Sequence, residues 1–142
     1  MIHDRQEMAL RIREFIDSLN QECTAGALVT VEGKKDESAL REAGFCGEIL
    51  VYNNFQGITN FVDHVSRNGR KVILLFDRDK KGRTLTSKIL KKLDLFGYHD
   101  GLYYKKWFTR IAHGKFMCIE NLSNYCMSFA EKYPNPPGLN MP

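Results

Sequence analysis

The feature that most constrains the fold of this chain is an alternation of short apolar runs with segments of helical periodicity. Apolar and β-branched residues dominate residues 27–31, 48–52 and 71–76, and the last run, KVILLF, is continuously apolar after its lysine. Such a run is typical of a parallel strand that is covered on both faces. Strands that alternate with helices over short connections predict an α/β sandwich around a mostly parallel sheet flanked by helices.

Helical periodicity marks the segments between these runs. In residues 4–19 the apolar side chains recur at the spacing of one helical face. Further helices are predicted to end near Gly44 and Asn68, and another is predicted from Gly82 to Gly97. Beyond Gly97 the pattern favours a helix, a fourth strand and a last helix at residues 103–112, 116–119 and 121–132.

The length of 142 residues indicates a single domain with its own core. We divide the chain into an N-terminal helix that packs on the domain, the main α/β domain, a C-terminal helix and a tail. The tail begins PNPP, and its prolines predict a loose segment. The N-terminal helix comprises residues 1–24 and the main domain residues 25–120. The C-terminal helix comprises residues 121–133 and the tail residues 134–142.

The apolar runs are too short for a membrane protein of the helical type. No run approaches the ~20 residues that a membrane span needs. The N-terminus mixes acids and bases and lacks the apolar segment of a secretory signal. We therefore expect a cytoplasmic protein with no membrane partner.

The net charge of +4 is unevenly distributed along the chain. Residues 78–115 hold 11 of the 21 Lys/Arg and 3 of the 17 Asp/Glu, a local net charge of +8. A basic segment beside a group of carboxylates can attract a polyanion such as nucleic acid. A solvated helix surface explains the same lysines equally well.

Acidic residues follow two of the predicted strands. Glu32 lies at the carboxyl end of the first strand, and Asp77 and Asp79 follow the third. Because ligands bind beyond the carboxyl ends of parallel strands, we expect the three carboxylates on one rim. Their mutual repulsion favours a bound cation, and magnesium prefers hard oxygen ligands. Gly82 is expected to let the chain turn into its helix close to an ion or phosphate, and Gly33 to play a similar role.

These acids also have a structural explanation. Carboxylates at strand ends often cap the helix that follows. Asp79 is placed to cap the helix that begins at Gly82, and Asp36 to cap the helix after Glu32. A bare Asp-x-Asp is therefore weak evidence, and the prediction of a metal site rests on the pairing of two motifs.

The two motifs resemble a known family. LVTVEGKKD at residues 28–36 is similar to the first Toprim signature, a hydrophobic strand followed by Glu-Gly-x-x-Asp, and ILLFDRDKKG at residues 73–82 is similar to the second. The resemblance covers roughly residues 25–120 and is greatest to the small stand-alone archaeal Toprim proteins. Toprim domains occur in topoisomerases, bacterial-type primases, recombination-repair proteins and the nuclease that matures 5S ribosomal RNA. The resemblance implies a compact, Rossmann-like fold with a mostly parallel four-stranded sheet.

The resemblance also implies roles for the acids. Glu32 matches the acid/base glutamate of the family, which can also touch the metal, and Asp77 and Asp79 match its magnesium ligands. Topoisomerases often have a third aspartate in the second motif, but this chain has Lys81 there, which makes the site more like those of primases and nucleases. Three further residues are expected to support the ligands without contacting the ion: Gly33, Asp36 and Gly82.

Basic residues flank both motifs and are expected to hold neighbouring phosphates of a nucleic acid. They are Lys34, Lys35, Arg78, Lys81 and Arg83. The function favoured by the sequence is a magnesium-dependent nuclease or phosphotransferase that acts on phosphodiesters, with RNA preferred over DNA. The alternative is a non-catalytic module that uses magnesium to bind nucleic acid or a nucleotide within a larger protein complex.

The stretch YYKKWFTR at residues 103–110 mixes bases with aromatic residues. Such a stretch can stack on unpaired bases. It also fits a helix that buries Trp107, Phe108 and Ile111, and we favour this second interpretation.

Overall fold

Helices and strands alternate along the chain. A computed structural model describes residues 2–77, 79–96, 98–100, 102–112 and 119. The elements are α1 (Ile2–Thr24), β1 (Leu28–Val31), α2 (Lys34–Glu42), β2 (Ile49–Val51), α3 (Ile58–Asn68), β3 (Lys71–Leu74), α4 (Lys80–Phe96), β4 (Tyr98–His99) and α5 (Tyr103–Ala112). None of the described helices has the length and hydrophobicity that crossing a membrane requires.

The strands form a parallel sheet in the order β2-β1-β3-β4. Val29 of β1 lies between Ile49 of β2 and Ile73 of β3. The two-residue β4 pairs with the beginning of β3. The prediction of a parallel sheet flanked by helices is confirmed.

The order of the strands creates a switch point between β1 and β3. The chain leaves β1 through α2 toward β2, and it leaves β3 through α4 toward β4 on the other side. Crevices in open α/β sheets form where neighbouring strands send their connections in opposite directions. The carboxyl ends of β1 and β3 therefore meet where this fold provides room for a ligand.

Two separate apolar clusters hold the layers together. Val29 and Ile73 point to the face covered by α1, α2 and α5. Val72 and Leu74 point to the opposite face, which α3 and α4 cover. Neighbouring residues alternate between the faces because successive side chains of a strand point in opposite directions. The arrangement is a three-layer α/β/α sandwich.

The aromatic residues of α5 belong mainly to the core. Phe108 and Ile111 are buried, and Trp107 packs partly buried against the same cluster. The ring of Phe15 in α1 meets the Trp107 ring edge-on, with centroids 5.5 Å apart. The prediction that this face of α5 lies in the core is confirmed, although Tyr103 is exposed.

Several element boundaries differ from those predicted. α1 extends to Thr24 rather than Leu19, and α4 begins at Lys80 rather than Gly82. The predicted strand at 116–119 lies outside the described residues except for Ile119, which is buried in the core. The C-terminal helix and tail predicted from residue 121 onward also lie outside them.

Candidate functional site

Glu32 and Asp77 lie together at the switch point. Glu32 directly follows β1, and Asp77 lies just beyond β3. The backbone N–H of Asp77 donates a hydrogen bond to Glu32 Oε1 at 3.0 Å, although 45 residues separate the two along the chain. Both residues are half-buried. The Glu32 side chain at the end of β1 thus binds the backbone just beyond β3, and the two acids lie on one rim.

The charges of this rim act on Glu32. Burial raises the pKa of its carboxyl group above the ordinary value, and the negative charges of Asp77 and Asp79 raise that pKa further. The hydrogen bond from Asp77 N–H and the positive charge of Lys81 oppose this rise. Three carboxylates and one lysine are therefore close enough to influence one another.

Asp79 is exposed and also begins a helix. Its Oδ1 accepts a hydrogen bond from Gly82 N–H at 2.7 Å, and its carbonyl oxygen accepts one from Arg83 N–H at 3.0 Å. This is the geometry of an N-cap, in which a carboxylate satisfies a free amide of the first turn. The cap explains why α4 begins at Lys80, two residues earlier than predicted.

Asp36 plays a similar part at the start of α2. It is buried, and its Oδ2 accepts a hydrogen bond from Gly33 N–H at 3.2 Å. The bond ties the first turn of α2 to the residue after Glu32. Asp36 therefore positions the β1–α2 connection, and its supporting role at a metal rim stays a prediction.

The two glycines of the motifs behave differently. A Cβ atom at position 82 would collide with the carbonyl group of Asp77, so only glycine allows α4 to pack this closely against the end of β3. At position 33 the nearest atom to an added Cβ would be Asn53 Nδ2 at 3.5 Å, an ordinary contact. The backbone of Gly33 is extended, with φ −137°. The protein itself thus requires glycine at position 82 but not at position 33, and the role of Gly33 near an ion or phosphate stays a prediction.

Two residues at the rim were missed by sequence reasoning. Lys105 of α5 donates hydrogen bonds from Nζ to the carbonyl oxygens of Phe76 at 2.7 Å and Asp77 at 3.3 Å. Asn53 donates its backbone N–H to the carbonyl oxygen of Glu32 at 3.0 Å. Both contacts join segments far apart in sequence, so no local pattern could have indicated them.

The predicted phosphate-binding residues occupy different places. Lys81 is exposed and acts electrostatically on Glu32. Lys34 and Lys35 are exposed in the first turn of α2, next to the rim. Arg83 is exposed on the outer side of α4. Arg78 lies outside the described residues.

The rim supplies suitable donors for a hard cation, but they are not arranged as a ready-made site. Among the residues that the structure describes, no three His, Cys, Asp or Glu side chains are grouped to hold a metal ion. Glu32 and Asp79 each use one oxygen in a hydrogen bond to the backbone. Each carboxylate has a second oxygen, and Asp77 Oδ1 is buried at the rim. Carboxylate oxygens of this kind are the donors that magnesium prefers, so the donor chemistry fits this ion.

The fold and site define a small α/β protein with an acidic rim at the switch point of a parallel sheet. No family model matches the chain. It is 36% identical over 112 residues to a UPF0292 protein of Archaeoglobus fulgidus, covering 79% of this chain and 86% of that protein. It is 31% identical over 112 residues to a UPF0292 protein of Thermococcus onnurineus, covering 79% and 80% of the two chains. The chain belongs to the UPF0292 family.

A solved structure supports the fold. A protein from Aquifex aeolicus matches 76% of this chain and 94% of its own length with a TM-score of 0.61. The two sequences are 24% identical. A likeness at this level establishes a shared fold and carries no statement about activity.

Proposed function

We propose that this chain is a Toprim-type protein that binds magnesium at the rim of Glu32, Asp77 and Asp79 and acts on nucleic-acid phosphodiesters, with RNA preferred. The observation that carries the proposal is the bond between Asp77 N–H and Glu32 Oε1. It joins the ends of two parallel strands at the switch point, where the two sequence motifs meet. Ligands of this class of sheet bind at that place.

The chain's own residues would perform distinct tasks. Glu32 has a raised pKa, which suits a group that exchanges a proton with an attacking or leaving oxygen. Lys81 carries a positive charge close to Glu32 and is suited to bind a phosphate oxygen. Lys105 donates hydrogen bonds to the carbonyl oxygens of Phe76 and Asp77, and Gly82 leaves room for the Asp77 carbonyl group. When bound, magnesium would neutralise the charge of the phosphodiester and of the rim.

One observation favours the non-catalytic alternative. Asp79 caps α4, and the described acids do not form a ready-made metal group. A module that binds nucleic acid or a nucleotide through magnesium, within a larger complex, needs less exact geometry than an enzyme does. The two proposals share the rim and differ in whether Glu32 transfers a proton.

Cleavage assays separate the proposals. Labelled structured RNA and single-stranded DNA are incubated with the protein in magnesium and in EDTA. We expect cleavage of RNA that EDTA abolishes and that Glu32→Gln lowers by about a hundredfold or more, since acid/base groups contribute this much. Glu42→Gln, which changes an exposed glutamate at the end of α2, serves as the matched control and is expected to match the wild type.

The other outcomes are equally informative. Magnesium-dependent binding without turnover would support the module and refute the enzyme. Cleavage that persists in Glu32→Gln would refute the role of this residue. The absence of any magnesium-dependent binding or cleavage would overturn both proposals.

A further inference from the structure

Helix α4 presents a stripe of cations and hydroxyl groups. Apart from Arg83, none of them is among the residues expected to bind phosphate at the rim. The stripe lines an open groove of about 490 Å³ on the outer side of the helix. Its members are Lys80, Arg83, Thr84, Ser87, Lys88 and Lys91. Their spacing of three or four residues is that of a single helical face. The charges therefore form a line along the helix axis.

The core fixes the direction in which the stripe faces. Ile89 and Leu93 on the opposite side of α4 are 0% exposed, and Thr86 is buried with its hydroxyl bonded to the carbonyl oxygen of Gly82. Rotation of the helix would expose these residues. The stripe must consequently point to solvent.

The positive charge of the stripe is not compensated by its own helix. The only acid within α4 is Asp94, which lies 2.7 Å from His99. Within the part of the chain that the structure describes, the four cations of the stripe form no ion pair. The groove is thus a site of positive potential that favours an anionic ligand.

We propose that this stripe is a track for the sugar–phosphate backbone of a nucleic acid strand, leading away from the acidic rim. Lys80 directly follows Asp79, so the track begins at the proposed site of chemistry. Its eleven residue steps span about 16 Å, given the rise of an α-helix. This length matches about five nucleotides at the axial spacing of phosphates in one strand of a duplex. Thr84 and Ser87 place hydroxyl donors between the cations, and such donors bind phosphate oxygens without reading sequence.

A nucleic acid fits the stripe better than an anionic membrane does. A helix that binds a membrane surface inserts an exposed apolar face. Ile89 and Leu93 of α4 are instead packed in the core, and the exposed large apolar residues among the side chains whose burial is described are Leu10 and Tyr103, both outside residues 80–94.

The track rests on the proposed function, and binding without metal tests it separately. Fluorescence anisotropy measures the affinity for a labelled single-stranded RNA and for DNA of the same sequence, in EDTA, at several salt concentrations. Lys91→Gln and the double variant Lys88→Gln/Lys91→Gln remove charge from the stripe. Lys92→Gln is the matched control, because it removes the same charge from the next residue, which is exposed but does not line the groove.

The slope of log affinity against log salt reports the number of phosphate contacts. For a single strand we expect Lys91→Gln to reduce the slope by about 0.7 and the double variant by about 1.4, with Lys92→Gln unchanged. Tighter binding of RNA, or equal binding of RNA and DNA, supports the track. An equal reduction of the slope in Lys91→Gln and Lys92→Gln would show only diffuse electrostatic attraction and would overturn the track.

Two further results would also overturn the track. One is that the wild type binds neither nucleic acid at low salt, and the other is that it binds anionic vesicles in preference to both. These slopes are measured in EDTA, so they do not depend on magnesium at the rim. A failure of the catalytic proposal would therefore leave the track intact, and a failure of the track would leave magnesium-dependent cleavage intact.

Discussion

Lys105 is expected to stabilise the carboxyl end of β3, and replacing it with methionine tests this. Its ammonium group donates hydrogen bonds to the carbonyl oxygens of Phe76 at 2.7 Å and Asp77 at 3.3 Å. Methionine retains most of the apolar stem and removes the charged donor. Lys105→Met therefore removes both bonds while it keeps most of the volume of the side chain.

The size of the effect follows from the contacts. A hydrogen bond to a charged group contributes about 1.5–3 kcal/mol. The shorter bond counts fully and the longer one adds less, while partial exposure of Lys105 reduces both. We expect the free energy of unfolding to fall by about 2 kcal/mol. With a urea dependence of about 2 kcal/mol per molar, the midpoint of unfolding falls by about 1 M.

Urea unfolding followed by circular dichroism measures this change. Lys106→Met is the control, because Lys106 is the next residue of α5 and is exposed. It is expected to leave the midpoint nearly unchanged. If both variants shift the midpoint equally, Lys105 does not hold the end of β3, and the account of how Asp77 is positioned fails.

Two further predictions concern the acids of the rim. Because the pKa of Glu32 is raised above 4.5 in the folded state, stability should fall as pH rises from below 4.5 through the raised pKa. Glu32→Gln keeps an oxygen for Asp77 N–H, so it should abolish this loss in metal-free urea unfolding; an unchanged pH profile would contradict the assignment. Asp77→Asn should weaken magnesium binding in calorimetry by more than about tenfold, whereas Asp63→Asn, on the exposed side of α3, should not; equal affinities would place the ion elsewhere.

The sequence predicted the sheet because its strands have strong local patterns. The runs that became β1 and β3 consist mostly of apolar and β-branched residues, and each strand is buried between two helical layers. The rule that ligand sites lie at the carboxyl ends of parallel strands then brought Glu32 and Asp77 to one edge. No contact had to be known in advance, since topology alone makes these ends neighbours.

The features that sequence reasoning missed depend on contacts between distant segments. β4 has two residues, Tyr98 and His99, and such a short strand has no alternating pattern to detect. Lys105 reaches the end of β3 only because α5 packs across that strand. The start of α4 was placed at Gly82 because glycine is a strong signal of a turn, whereas the cap formed by Asp79 begins the helix two residues earlier.

The first turn of α4 connects the rim to the stripe through the backbone. Asp79 caps the helix, and Gly82 packs against Asp77, so the start of α4 is fixed relative to the acids. Ile89 is fully buried and fixes the rotation of the helix. A nucleic acid strand bound along the stripe would therefore reach the rim from one defined direction. Because the cap uses only one oxygen of Asp79, the carboxylate that begins the helix can also face an ion at the rim.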